Sequence, residues 1–286
     1  MTATQPLDRG ALAAHPLPPV VDGDKESKGR LLVIAGSREV PGAALLAAQG
    51  AMRAGAGKLC IATARSIACR IGIAFPEAKV VGLAEDGDAL AFKAVEQIAR
   101  EAAKADAVVA GPGMAEGEAC KPIAAALLQS EARLAFDAAM LQRLEPLPPH
   151  ERSTSPILLP HSGELAALLD VDREAVERDP LRCGLRAAEL YRSLVLVKGV
   201  TSHVVTPDGQ AWTYDGGAPG LGVCGSGDVL AGIVAGLLAR GAEPLHALLW
   251  AVWMHGEAGA ALARKVGPIG FLAREIADEV PALIPR

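Results

Sequence analysis

Aromatic side chains are scarce in this sequence: four Phe, three Trp and two Tyr make up 3% of 286 residues. That argues against a ligand surface built from stacked rings and favours close-packed helices on a sheet, with Ala, Gly, Leu and Val as the filling. Basic runs are missing too. The net charge is −5 and no Lys/Arg cluster stands ready to neutralise phosphates along a strand, which sets nucleic acid aside as a main partner. The five cysteines (Cys60, Cys69, Cys120, Cys183, Cys224) form no C-x-x-C pair and have no histidines at zinc spacing. A disulfide framework or a structural zinc site does not fit them, and a reducing cytoplasm is the simplest setting. No apolar run reaches transmembrane length, and residues 1–29 carry Pro16, Pro18, Pro19 and charges where a signal peptide would have its apolar core. A soluble protein without a membrane partner is expected. The P-loop pattern GxxxxGK[ST] is absent, as is GxGxxG after a first strand, so a P-loop NTPase and an ordinary NAD dehydrogenase lose their usual support.

What is present is an apolar fraction of 51% against 21% charged, enough for a sizeable core. After a flexible or loosely docked lead-in over 1–29, strand-like and helix-like stretches alternate. Strands are predicted at 30–35, 58–63, 78–82, 107–111, 133–136, 156–159 and 194–197, with helices at 43–53, 88–105, 118–129, 164–169 and 175–191, the last divided or kinked at Pro180. Segments 203–206 and 210–214, joined by Pro207-Asp208-Gly209, read as a hairpin. Two apolar helices close the chain, one running from the glycine-rich loop to Gly241 and one over 244–266. No internal repeat or linker interrupts 30–286, and apolar strands alternating with helices give an α/β fold in one domain, a mostly parallel sheet covered on both faces.

The chemistry gathers around residues 216–228, GGAPGLGVCGSGD, a glycine loop that opens onto a helix. Free N–H groups and the dipole at a helix start make an anion site, and glycines let phosphate oxygens approach the main chain. Asp228 has two readings there: an N-cap, or a base that takes a proton from a hydroxyl meeting a phosphoryl group. In open α/β sheets ligands bind beyond the carboxyl ends of the strands. Those ends carry Gly36-Ser37, Gly111-Pro112-Gly113, Asp137, Pro160-His161-Ser162-Gly163-Glu164 and Lys198-Gly199. Each has a plainer alternative. Gly111-Pro112-Gly113 serves equally as a tight turn, Asp137 as a helix cap or a metal or structural carboxylate, His161 as a structural histidine, and Lys198 as a snorkelling surface lysine rather than a cation for phosphate. His255, inside an apolar helix, reads as a core or helix-contact residue.

Taken in order, KGRLLVIAGSREVPGAALLAAQGAMRAGAGKL, AVVAGPGM, LAFDAAML, ILLPHSGELAALL, LVLVKGVTS and PGLGVCGSGDVLAGIVAGLLARG with AVWMHGEAG resemble the ADP/ATP-dependent NAD(P)H-hydrate dehydratases of the ribokinase-like superfamily. The resemblance spans roughly Lys28 to Val280. It implies a three-layer α/β/α fold with its β-hairpin near 203–214. It also implies a metabolite-repair lyase acting on NADHX or NADPHX, with ADP or ATP as phosphoryl donor and Mg²⁺. By position Asp228 matches the base, with Gly225, Ser226 and Gly227 as the anion hole. Lys198, Gly199, Val200, Thr201 and Ser202, together with Gly227, match the nucleotide-binding segment. Ala43, Gly113 and His161, with Asp228, match contacts to the hydrated dinucleotide. The sequence departs from the pattern at Cys224, where relatives usually have glycine, at Ala218, where asparagine is usual, and at Ser162, where proline is usual. A homo-oligomer, a tetramer by resemblance, is expected, supported by the apolar 244–266 helix. The glycine loop with Asp228 suits a vitamin-precursor kinase of the same superfamily equally well, and a non-catalytic nucleotide-binding relative would keep the same loop.

Overall fold

The computed structural model describes residues 4–20, 28–142, 144–146 and 152–285. In chain order these form β1 (Gln5–Pro6), α1 (Arg9–Ala13), β2 (Arg30–Ile34), α2 (Gly42–Arg53), β3 (Lys58–Ala64), α3 (Arg65–Ala74) and β4 (Lys79–Leu83). A small hairpin of β5 (Glu85–Asp86) and β6 (Ala89–Leu90) precedes α4 (Ala94–Ala102), β7 (Ala107–Ala110), α5 (Cys120–Leu128), β8 (Arg133–Phe136) and β9 (Ile157–Leu158). Then come α6 (Ser162–Leu169), α7 (Arg173–Arg178), α8 (Pro180–Tyr191), β10 (Leu194–Val197), β11 (Ser202–Val205) and β12 (Ala211–Tyr214). The chain closes with α9 (Ser226–Ala239), α10 (Pro244–Lys265) and α11 (Ala273–Glu279).

Ten strands make one sheet in the order β1-β12-β11-β10-β9-β8-β7-β2-β3-β4. From β10 to β4 every neighbouring pair is parallel, while β11 runs antiparallel to both β10 and β12. Alternation along the strands feeds two cores. Leu31 and Val33 join one, and Leu32 and Ile34 join the other. Helices α2, α9, α10 and α11 cover the first face, and α4, α5, α6 and α8 the second, giving the three layers the resemblance implies.

Helix α9 is buried from Val229 to Ala239, all round its axis. It lies against α2 along a seam of small residues. A Cβ at Gly232 would stand 2.1 Å from the Ala47 carbonyl oxygen, at Gly236 2.5 Å from that of Ala51, and at Gly50 2.5 Å from that of Val229. The backbones therefore touch, with no side chain between them. Gly232→Ala is expected to destabilise the fold by about 2–3 kcal/mol in denaturant unfolding, since the added methyl overpacks against backbone that cannot rotate away. Gly42→Ala, which meets no atom within 4 Å, should be neutral; equal midpoints for the two variants would dismiss the seam.

Several sequence expectations are corrected. The lead-in is not loosely docked where it is described: Gln5 and Pro6 pair with Trp212 and Thr213, and Leu7, Leu12 and Leu17 are buried. Without β1, β12 would be a bare edge with unpaired backbone groups. Residues 1–3 and 21–27 of that lead-in lie outside the described residues. The helix expected over 88–105 begins only at Ala94, because Gly87 (φ 63°) turns the chain into the β5–β6 hairpin. Helices α3 and α11 carry no expectation from the sequence. The apolar length of α10 does not argue for subunit contacts: Leu248, Leu249, Val252 and Trp253 are buried within this one chain.

Candidate active site

Because β2, β7, β8, β9 and β10 are parallel neighbours, their carboxyl ends lie side by side. The Gly36 N–H donates to the Pro112 carbonyl (2.8 Å) and the Lys198 N–H to that of Pro160 (2.9 Å). Gly111 sits at φ 122°, where a Cβ would fall 1.7 Å from the Asp137 carbonyl oxygen, so only glycine lets these two strand ends close up. Gly113 (φ 60°) likewise meets the Ala43 methyl, with 2.3 Å left for a Cβ. Ala43 is buried, so its methyl is spent on Gly113. What it presents at the start of α2 is a main-chain N–H with no acceptor among the described residues.

The glycine loop ends at Gly225, which is the N-cap of α9 in the left-handed region (φ 88°). A Cβ there would come within 2.4 Å of Leu46. Ser226 is the first helical residue and its N–H donates to the Val223 carbonyl (3.2 Å). The N–H groups of Gly227 and Asp228 find no acceptor among the described residues. They are the orphan donors of a fourteen-residue helix with its dipole behind them.

Asp228 is not the cap: α9 has no side-chain capping bond, and Asp228 stands two residues inside its first turn. Burial, with the Asp137 carboxylate adding to it and Lys198 opposing, pushes the Asp228 carboxyl up to about 6. A carboxylate that ionises near neutrality while partly desolvated is what proton abstraction needs.

Lys198 is held from below. Its Nζ is 2.7 Å from Asp137 Oδ1 and 3.9 Å from Glu164 Oε2, in a cluster where the three side chains are 20%, 4% and 10% exposed. Burial works to lower the ammonium, but Asp137, Glu164 and Asp228 outweigh it and its pKa is raised. A Cβ on Gly227 would lie 3.7 Å from Nζ, which puts this cation beside the open end of α9. Lys198 is therefore not a snorkelling surface lysine; it is an ion-paired one, held by Asp137 and Glu164. Beyond it Gly199, Val200 and Thr201 form an outward loop closed by Ser202 Oγ donating to the Gly199 carbonyl (3.3 Å), with Val200 fully exposed.

His161 is the N-cap of α6. Its Nδ1 accepts from the N–H groups of Gly163 (3.0 Å) and Glu164 (3.1 Å), and Glu164 Oε2 accepts from the His161 N–H (2.8 Å). The structural reading thus holds for one ring nitrogen, while Nε2 lies 3.5 Å from Glu164 Oε1 on an imidazole that is 59% exposed. Asp137 is settled as the partner of Lys198, and Glu164, which the sequence places at a strand end without a role, joins it. The His161-x-x-Glu164 spacing of a capping box was the available signal. His255 reaches Ser226 from α10, across 29 residues of sequence, and nothing local announces it.

A model of the family described as NAD(P)H-hydrate dehydratase matches residues 31–282. The chain belongs to that family. Among relatives of this dehydratase, the ADP-dependent (S)-NAD(P)H-hydrate dehydratase of Xanthomonas campestris is 45% identical over 96% of this chain and 94% of its own. The ADP/ATP-dependent NAD(P)H-hydrate dehydratase from Bacillus subtilis, co-crystallised with ATP and Mg²⁺, superposes with a TM-score of 0.86 at 26% identity, covering 99% of this chain and 98% of that one. A ribokinase-like superfamily protein from Enterococcus faecalis, at 23% identity and a TM-score of 0.81 over 98% and 95% of the two chains, shares the fold. Several bifunctional NAD(P)H-hydrate repair enzymes also match, and the chain spans about half their length. No helix among the described residues is long and apolar enough to cross a membrane.

Proposed function

We propose that this chain restores NAD(P)H from its hydrates, NADHX and NADPHX, by an ADP-dependent dehydration. The observation that carries the reading is the Asp228 carboxyl, raised towards neutrality beside the unpaired N–H groups at the start of α9. On this reading Asp228 takes the proton of the hydroxyl that water addition left on the nicotinamide ring. The oxygen then displaces AMP from the terminal phosphoryl group of ADP, while the N–H groups of Gly227 and Asp228, the Ser226 hydroxyl and Lys198 hold the transferred charge. Phosphate departs with the electrons of the C–O bond, the neighbouring ring carbon gives up a proton, and the double bond of NAD(P)H returns. Hydroxide is a poor leaving group at neutral pH and phosphate a good one, which is why a nucleotide is needed at all. Gly199, Val200, Thr201 and Ser202 would flank the nucleotide, with Ala43, Gly113 and His161 around the dinucleotide.

Among the described residues no group of three or more His, Cys, Asp or Glu could hold a metal ion. Asp137 and Glu164 already face Lys198. That donor set does not fit a resident ion. Mg²⁺ enters this proposal only as a companion of the nucleotide phosphates. Assembly as a homo-oligomer and a cytoplasmic setting belong to the same proposal.

Incubation of the purified protein with NADHX, ADP and Mg²⁺, with ATP in a parallel cuvette, tests the reading. Absorbance at the NADH band should recover with stoichiometric release of AMP and phosphate. No recovery with either nucleotide would refute it. A phosphate ester accumulating from an alcohol substrate would mark a kinase instead, and thermal stabilisation by nucleotide without turnover would mark a binding protein.

A further inference from the structure

Ser226 carries the hydroxyl of the glycine loop, and its main-chain N–H is already taken by Val223. Whatever it gives to a bound phosphoryl group must come from the hydroxyl. Facing that hydroxyl is His255 on α10, with Nε2 3.0 Å from Ser226 Oγ and 3.1 Å from the Ser226 carbonyl oxygen.

A carbonyl oxygen only accepts, so the hydrogen of the ring sits on Nε2. Burial, with Lys198 adding to it and the Ser226 carbonyl opposing, holds the imidazole down to about 4, so it is neutral at pH 7. One N–H is thereby shared between the carbonyl and the hydroxyl oxygen of the same residue. The Ser226 hydroxyl accepts from His255 and cannot also point its hydrogen there. That hydrogen is turned away from α10.

We propose that His255 is a positioning residue for phosphoryl transfer: its Nε2–H clamps Ser226 so that the serine O–H is presented as a donor to the transferred group. The inference rests on the reading of the α9 start as the phosphoryl pocket. His255 touches neither reactant and acts only through Ser226.

The test compares Ser226→Ala, His255→Ala, His255→Gln and the two Ser226→Ala double variants for NADHX dehydration with ADP. Loss of one such donor lowers turnover by about 10²-fold, so Ser226→Ala is expected near that figure, and His255→Ala to fall at least tenfold in kcat with the KM for ADP little changed. Glutamine places an amide N–H where Nε2 stands, and His255→Gln should recover most of the loss. In the Ser226→Ala background neither change at position 255 should lower kcat further. Multiplying losses in the double variants, unchanged kcat in His255→Ala, or His255→Gln no better than alanine would overturn the proposal. Should His255→Ala fail to fold, His255→Gln with and without Ser226→Ala decides on the same criteria. A wild-type protein inactive with both nucleotides would instead sink the underlying pocket assignment.

Discussion

Asp228→Asn is expected to fold, to bind nucleotide, and to turn over NADHX at least about 10²-fold more slowly than the parent, the loss typical of a missing general base. Asparagine keeps the shape of the side chain and removes the proton acceptor. The expectation follows from position: the carboxylate accepts no capping bond from α9 and is left available to substrate. Its pH dependence follows from its neighbours. With the carboxyl near 6, kcat/KM of the parent should climb as pH rises through that value, and the slow residual rate of the variant should lack that limb. Stability should move the other way. The folded protein holds the Asp228 proton more tightly than the unfolded chain does, whose carboxyl sits near 3.8, so ionisation costs stability between those two values. Well above pH 6 the parent carries a burden of about 3 kcal/mol that the variant lacks. Asp228→Asn should therefore melt higher at pH 7.5, with most of the difference gone by pH 4. A variant with near-normal rate would remove Asp228 from the chemistry.

The second large effect is expected from Lys198→Met. It leaves the Asp137 and Glu164 carboxylates, 4% and 10% exposed, facing each other without a cation. Breaking a buried pair from one side destabilises by about 3–5 kcal/mol because the remaining charge has no solvent to turn to. Denaturant unfolding at pH 7.5 reads this directly. Adding Asp137→Asn removes part of the stranded charge and should recover much of the stability, while turnover stays low because the phosphate has lost its cation. The raised Lys198 pKa fixes the alkaline limit: the lysine's contribution is whole below its ordinary 10.5 and is lost only as pH rises through the raised value. A single variant as stable as the parent would mean that Lys198 is a surface group after all.

Much of this was legible before any coordinates. Arg133–Phe136 and Leu194–Val197 match their predicted bounds residue for residue, because strands buried on both faces read as unbroken apolar runs. The strand ends that gather at the site were readable for the same reason: each run stops at a glycine, proline or polar residue. Helix α3 was not readable, since only Ile67 and Ile71 are buried along its length and one apolar pair makes no period. Strand β1 is two residues long, too short to carry a pattern, and becomes a strand only because β12 offers it an edge. The ion pair between Asp137 and Lys198 spans 61 residues, and the contact between Ser226 and His255 spans 29. Such partners are chosen by strand order and helix packing. The sequence supplied the chemical groups; the topology chose which of them meet.

The seam between α2 and α9 has a mechanical consequence. Ala43 rides on α2, whereas Ser226, Gly227 and Asp228 ride on α9, and these helices meet backbone against backbone at Gly50, Gly232 and Gly236. Neither can slide or tilt without carbonyl oxygens colliding, so the starts of the two helices travel as one rigid body. Accommodation of an arriving reactant must fall to the loops, above all to the solvent-facing turn at Gly199, Val200 and Thr201 and the glycine-rich approach to Gly225.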